Sequence, residues 1–197
     1  MKHRTALMGL LVVPLLFATD PPVAVKVTRL ETPEKALKFE VTIPGTPSDV
    51  WKAFTTGPGL DTWLWSDCTV DLREGGEWTV HYPGGKTGGG TIVHFTPMRS
   101  IELRAMAPEQ FPTVRRERTR AIFEFEAAGN GTRVILTQSG WKQGKEWDDA
   151  YEYLAKGNAQ LLTQLWSRFA KGPIDWNAAQ ANSGARRASP LRNRQQT

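Results

Sequence analysis

Residues 146–171 read EWDDAYEYLAKGNAQLLTQLWSRFAK, and their pattern decides the fold. Apolar residues recur at helical spacing along one side, at positions 147, 150, 151, 154, 161, 162, 165, 166 and 169. The pair Gly172-Pro173 then gives a helix stop signal. At about 1.5 Å per residue this helix is roughly 40 Å long, enough to cross a whole domain. Gly157 in its middle costs about 1 kcal/mol relative to alanine, so a glycine there needs a packing or functional reason.

The residues before this helix alternate in strand-like runs separated by turn signals. Two short helices follow the first strand. Thr46 is a suitable cap and Pro47 a suitable first residue for one of them, Gly57-Pro58-Gly59 is expected to end it, and residues 60–64 form the second. The predicted strands are 35–43, 67–72, 77–82, 91–95, 101–106, 119–126 and 133–138.

This order of elements predicts an α+β fold. A curved antiparallel sheet of about six to seven strands wraps around the long C-terminal helix, because the apolar side of that helix has no other partner to bury it. If the helix does not fill the concave side of the sheet, an apolar cavity remains.

The tripeptide Gly85-Lys86-Thr87 raises the possibility of a phosphate-binding loop, but its spacing is wrong. That motif requires a glycine where Val80 stands and a helix after the threonine. Here a β-branched, strand-like run follows instead. We therefore interpret the segment as the tip of a β-hairpin.

The two ends of the chain differ in composition from its body. A basic start precedes the apolar run ALMGLLVVPLLF at residues 6–17, which is shorter than the roughly 20 residues of a membrane span. It predicts a signal peptide at 1–19 and an exported, periplasmic or extracellular protein, with an uncleaved anchor as the alternative. An extended leader (20–34), one domain (35–174) and a disordered basic tail (175–197) are expected to follow.

Charge and cysteine content limit the possible functions. Without Lys2 and Arg4 of the predicted signal peptide and the four arginines of the tail, 19 basic residues face 20 acidic ones, which argues against nucleic-acid binding. Cys68 is the one cysteine, so the chain cannot form an intrachain disulfide, and we expect a small buried side chain there. No cofactor or metal is expected, and no membrane span in the mature chain.

Five motifs in the right order resemble the START-like helix-grip superfamily, and more narrowly the domain of activators of the heat-shock protein 90 ATPase and their bacterial relatives. The motifs are PSDVWKAFTT, GPGLDTWLW, DLREGGEW, GTRVILTQSGW and GNAQLLTQLWSRF. The resemblance covers about residues 37–171. Relatives commonly carry tryptophan after the helix glycine, where this chain has Asn158, so a relative's ligand cannot be carried over.

Strand phases predict which residues face the cavity. Trp78, Val80 and Tyr82 share one side, and a hairpin register that places His94 beside Trp78 turns His94 inward as well. His94, Tyr151 and Asn158 are the expected polar groups of an aromatic-lined pocket. The candidate ligand-binding residues are Trp63, Trp65, Trp78, His94, Met106, Phe123, Phe125, Trp141, Trp147, Tyr151, Leu154 and Asn158.

Three functions remain open at this point. The first is an exported module that binds a hydrophobic small molecule or lipid. The second is a cyclase- or hydrolase-like enzyme in the same cavity, in which a buried His94 near Tyr151 shuttles a proton. The third is a co-chaperone-type surface, which the predicted export disfavours. The basic run at residues 115–120 is interpreted as a solvated strand edge, and the oligomeric state is left open.

Overall fold

The computed structural model describes residues 24–178. The predicted signal peptide and residues 179–197 of the predicted basic tail lie outside the described residues. Within residues 24–178 the chain forms eight strands and four helices. The strands are β1 (Lys26–Leu30), β2 (Ala36–Ile43), β3 (Cys68–Val70), β4 (Glu77–Tyr82), β5 (Lys86–Thr96), β6 (Ser100–Ala105), β7 (Thr119–Ala128) and β8 (Gly131–Ser139). The helices are α1 (Pro47–Thr55), α2 (Gly57–Asp61), α3 (Pro112–Glu117) and α4 (Lys145–Lys171).

All eight strands pair antiparallel in one sheet, in the order β1-β2-β8-β7-β6-β5-β4-β3. Inward-facing side chains of the sheet and the apolar side of α4 form the main core. The predicted α+β helix-grip architecture is therefore confirmed, with eight strands instead of six to seven.

The additional strand is β1, which lies in the segment predicted to be an extended leader. Its sequence KVTRL is mostly exposed, so alternation gave little sign of a strand. It pairs with β2 at the sheet edge, and the Arg29 guanidinium donates two hydrogen bonds of 2.6 and 2.8 Å to Glu152 on α4. The edge strand thereby connects the sheet to the long helix.

The two short helices are arranged differently from the prediction. As expected, α1 starts after the Thr46 cap, whose hydroxyl accepts a hydrogen bond from the amide of Asp49. Residues 57–59, however, begin α2 instead of only ending α1, because the Thr56 hydroxyl accepts a hydrogen bond from the Gly59 amide and Pro58 suits a first turn.

The β4–β5 hairpin confirms that this segment is a hairpin and not a phosphate-binding loop, but Lys86 is the first residue of β5 instead of part of the tip, and the register differs from the expected one. Residues 83–85 form the turn, and β5 already starts at Lys86. Trp78 lies opposite Gly90, and the register shifts between Ile92 and His94. Such a bulge reverses the side to which the next residue points. His94 is therefore exposed on the outer face, and its predicted inward position is wrong.

The basic run at residues 115–120 is not a strand edge throughout. Its first half belongs to α3, and β7 begins only at Thr119. Arg118 joins the two elements with a backbone φ of 66° and ψ of 149°.

Helix α4 is fixed at both ends. At its start, the Glu146 carboxylate accepts hydrogen bonds of 2.6 and 3.1 Å from the amides of Thr113 and Val114 on α3. After its end, the chain returns to α2, where Trp176 Nε1 donates to the Asp61 carbonyl at 2.6 Å. Between these points α4 packs mainly on β2, at one side of the sheet.

Candidate functional site

A cavity of about 460 Å³ lies between the inner face of the sheet and α4. Its volume is within the range of pockets that hold small organic molecules. Side chains of β4, β6, β7 and β8 form the apolar wall and α4 closes the opposite side. The wall residues are Trp78, Leu103, Ala105, Ala121, Phe123 and Leu136, and the helix residues are Leu154, Asn158 and Leu161.

Small residues on the inner face explain why side chains do not fill this space. Gly88 and Gly89 line the cavity from β5, and Ala105 and Ala121 line it from the next two strands. A Cβ atom on Gly89 would lie 1.9 Å from the Trp78 carbonyl oxygen, and Gly89 has a φ of 110°, so glycine is required there. The glycine run thus lets β4 and β5 approach closely and leaves volume beneath them.

One end of the cavity carries a pair of side-chain amides. Gln138 is 4% exposed, and its Nε2 donates to the Thr119 hydroxyl at 2.8 Å. Asn158 Nδ2 donates to Gln138 Oε1 at 2.7 Å. Asn158 Oδ1 forms no hydrogen bond with a described residue, so it remains an acceptor, and the second Nε2 hydrogen of Gln138 remains a donor. This pair can orient a polar group on an otherwise apolar guest.

The rim of the cavity is partly aromatic and partly charged. Tyr82 and Tyr153 are 37% and 47% exposed, which is high for large aromatic side chains. Lys86 Nζ lies 4.0 Å from Glu109 Oε2 across the rim. Burial raises the pKa of the Tyr82 phenol, so this hydroxyl is neutral at physiological pH.

Five of the twelve candidate residues line this cavity. They are Trp78, Met106, Phe123, Leu154 and Asn158. Trp78 is held by its indole N–H, which donates to the Phe54 carbonyl at 2.8 Å.

Three further candidates pack in or beside the core near α1 and α2. Trp63 is fully buried and donates its indole N–H to the Ala53 carbonyl at 3.0 Å. Phe125 packs against the ring of Phe54 with centroids 5.0 Å apart. Trp65 lies outside the cavity, against Tyr82.

Trp141, Trp147 and Tyr151 form an aromatic cluster near the start of α4, away from the cavity lining. Two cations lie near the Tyr151 ring, with Lys35 Nζ at 4.5 Å and Arg29 Cζ at 5.1 Å from its centroid. Its expected role as a polar group of the pocket is wrong, since it is the amide of Gln138 that accompanies Asn158.

His94 does not belong to the site either. Its Nδ1 lies 2.7 Å from Glu74 Oε1 at the surface, and its side chain is 61% exposed. A proton shuttle between a buried His94 and Tyr151 is therefore excluded by their positions.

The sequence interpretation missed several parts of the lining. Strand phase predicts that Tyr82 faces inward, but Tyr82 is not among the twelve candidates, and neither is Gln138. A usable signal existed for Gln138, because it continues the alternation of Val134 and Leu136 with a polar residue on an apolar face. Residues 107–110, which cover the rim, show no periodic pattern that could have indicated them.

Residues 24–178 offer little for metal or nucleophilic chemistry. No three histidine, cysteine or acidic side chains there lie close enough to hold a metal ion. Burial raises the pKa of the Cys68 thiol to about 12, and its Sγ donates to the Trp65 carbonyl at 3.4 Å. Cys68 is therefore a buried thiol that remains protonated. Across the same residues, no helix combines the length and the apolar composition of a membrane span.

The profile of the family described as "Activator of Hsp90 ATPase homolog 1-like protein" matches residues 44–170. The chain belongs to this family. The match includes every residue that lines the cavity, whereas β1 and β2 precede it. The family expected from the five sequence motifs, within the START-like helix-grip superfamily, is thus confirmed. No curated protein matches the chain.

Solved structures show the same fold at low sequence identity. The Aha1 dimer from Colwellia psychrerythraea is 20% identical with a TM-score of 0.58, over 70% of this chain and 97% of that one. Protein MLL2253 from Mesorhizobium loti is 18% identical with a TM-score of 0.60, over 71% and 99%. CalU16 from Micromonospora echinospora is 16% identical with a TM-score of 0.56, over 83% and 93%. These similarities show a shared fold.

Proposed function

We propose that this START-like domain binds a mostly apolar small molecule in the cavity between α4 and the sheet. The observation that carries the proposal is a volume of about 460 Å³ with apolar walls and one oriented amide pair, Gln138 and Asn158. Burying an apolar guest gains roughly 25 cal/mol per Å² of apolar surface, and the amides set its orientation.

The experiment measures binding of N-phenylnaphthylamine, a neutral apolar dye whose fluorescence increases in apolar surroundings. Leu154→Trp and Ala121→Phe fill the cavity from opposite walls, and we expect each to weaken binding at least tenfold. Lys156→Ala is the matched control, because Lys156 is exposed on the same helix and does not line the cavity. Equal binding by the filled variants and the unchanged protein would refute the proposal.

We further propose that the domain acts after export. The support is the basic start and the apolar run at residues 6–17. Expression in the native host, followed by cell fractionation and N-terminal sequencing, tests this. A mature N-terminus near residue 20 in the exported fraction is the expected result, and an intact chain in the cytosol would contradict it.

A further inference from the structure

A groove of about 550 Å³ lies beside the cavity along α4. Tyr82 and Leu161 line both spaces, so the groove and the cavity share one boundary. The other groove residues are Leu64, Trp65, Gly157, Gln160, Thr163 and Gln164.

The chemistry of the groove differs from that of the cavity. Two aromatic rings, Trp65 and Tyr82, stand 5.4 Å apart at one side. Gln160, Gln164 and Thr163 occupy the helix side, and each of these groups can both donate and accept hydrogen bonds. None of the groove-lining residues is charged. Such a surface suits hydroxyl groups and offers no counter-ion to a charged group, whose partial desolvation would be costly.

Gly157 gives independent support for a binding role of this groove. It lies in the middle of a 27-residue helix, where glycine is unfavourable by about 1 kcal/mol relative to alanine. A Cβ atom there would meet no other atom within 4 Å, so close packing does not require glycine. The missing side chain at position 157 keeps the groove open beside Gln160 and Leu161.

We propose that the groove is a second subsite, and that the natural ligand is an amphiphile with an apolar body and an uncharged, hydroxyl-rich head group. The body occupies the cavity and the head lies in the groove, passing between Tyr82 and Leu161. This inference rests on the proposed function of the cavity and specifies the class of ligand.

The test compares three probes that share one alkyl chain: octyl glucoside below its micelle concentration, octanol and octyl sulfate. We expect octyl glucoside to bind about tenfold more tightly than octanol, and octyl sulfate no more tightly than octanol. In NMR titrations, the side-chain amides of Gln160 and Gln164 are expected to shift with octyl glucoside and to remain unchanged with octanol.

Two groove variants test binding in the groove separately from binding in the cavity. Gly157→Leu fills the groove, and the double variant Gln160→Ala/Gln164→Ala removes the amides while retaining the helix. Both are expected to reduce octyl glucoside binding about tenfold, to the level of octanol, without changing octanol binding. Lys156→Ala, which touches neither space, should bind all three probes like the unchanged protein.

The outcomes distinguish the two proposals. If octanol binds and Leu154→Trp abolishes its binding, the cavity is a binding site. Equal affinities for octanol and octyl glucoside, or a glucoside affinity unaffected by Gly157→Leu, would then refute the groove subsite alone. If none of the three probes binds, the function proposed for the cavity fails and the subsite fails with it.

Discussion

Arg118 combines two unfavourable features at one residue. Its φ of 66° and ψ of 149° fall in a region that is accessible essentially to glycine alone, and such conformations cost about 1–3 kcal/mol. Its Nη1 atom is buried without a hydrogen-bond partner among the described residues. Burial also lowers the pKa of the Arg118 guanidinium below its ordinary value, while nearby Glu77 opposes this shift.

Arg118→Gly is expected to stabilise the fold by about 1 kcal/mol, because it removes the backbone strain and the buried, unpaired guanidinium nitrogen. The greater flexibility of glycine in the unfolded chain offsets part of this gain. Urea unfolding measures the difference. Met98→Gly is the control, since Met98 has a similar φ of 64° but is exposed in a turn. A larger gain for Met98→Gly than for Arg118→Gly would contradict the contribution of the buried guanidinium.

At the scale of elements, Glu40 joins three neighbouring strands by charge. Its carboxylate on β2 accepts hydrogen bonds from Lys26 on β1, Lys38 on its own strand and Arg133 on β8. These bonds, that of Lys26 first, lower the pKa of Glu40 from 4.5 to about 2. Because the folded pKa is the lower one, the stabilisation is present above about pH 4.5 and disappears as the pH falls towards 2.

Glu40→Gln should therefore destabilise the protein by about 1–2 kcal/mol at pH 7, a value reduced for the solvent exposure of the three cations. It should also flatten the loss of stability between pH 4.5 and about 2. Unfolding by urea across this pH range provides the measurement. Glu124→Gln, at an exposed position on β7, is the control, and an identical pH profile for both variants would refute the prediction.

Helix α4 offers a second prediction at this scale. Since a methyl group at position 157 meets no other atom, Gly157→Ala is expected to raise the free energy of unfolding by roughly 1 kcal/mol. Thermal unfolding followed by circular dichroism would detect it. A loss of stability would show that the backbone at this position needs the freedom of glycine.

The elements differ in how well the sequence predicts them. The apolar pattern predicts the long helix at residues 146–171 and the structure has it at Lys145–Lys171, because a periodic apolar side and a stop signal are local features. The strand predicted at residues 91–95 is shorter than the observed β5, since three successive glycines have no side chains whose alternation could indicate a strand. The bulge that turns His94 outward also has no local signature.

The cavity lining is also only partly predictable from the sequence. Aromatic residues predict burial, and Trp63 and Phe125 are indeed buried, yet composition does not tell a packed interior from the wall of a cavity. The cavity depends on what is missing at Gly88, Gly89, Ala105 and Ala121. Small residues are recognisable as cavity-forming only when the strand register is known, and the register came from the structure.

At the scale of the whole molecule, the sheet is covered unequally. Helix α4 packs on β2 and β1, whereas β4 to β6 face it across the cavity. A guest in that space would add the contacts that one half of the sheet lacks. A ligand that binds only the folded state stabilises it by about 2.7 kcal/mol at a concentration of 100 times its dissociation constant.

A saturating apolar ligand such as octanol should accordingly raise the melting temperature of the domain. Leu154→Trp, which occupies the same space from within the chain, should abolish most of this rise. Calorimetry with and without ligand measures both effects. An equal rise for the two proteins would locate the ligand elsewhere.

The two anchored ends of α4 have a mechanical consequence. The helix is held at its start by Glu146 and after its end by Trp176, and Gly157 lies between these points, next to Asn158, whose side chain bonds to Gln138. A guest that is slightly too thick cannot lift either end, so it must bow the centre outward and lengthen the backbone hydrogen bonds there. Amide hydrogen exchange near Gly157 would then accelerate as the bound ligand becomes thicker, while exchange at the two anchored ends stays constant. The exchange rate at the helix centre would therefore report the size of the ligand.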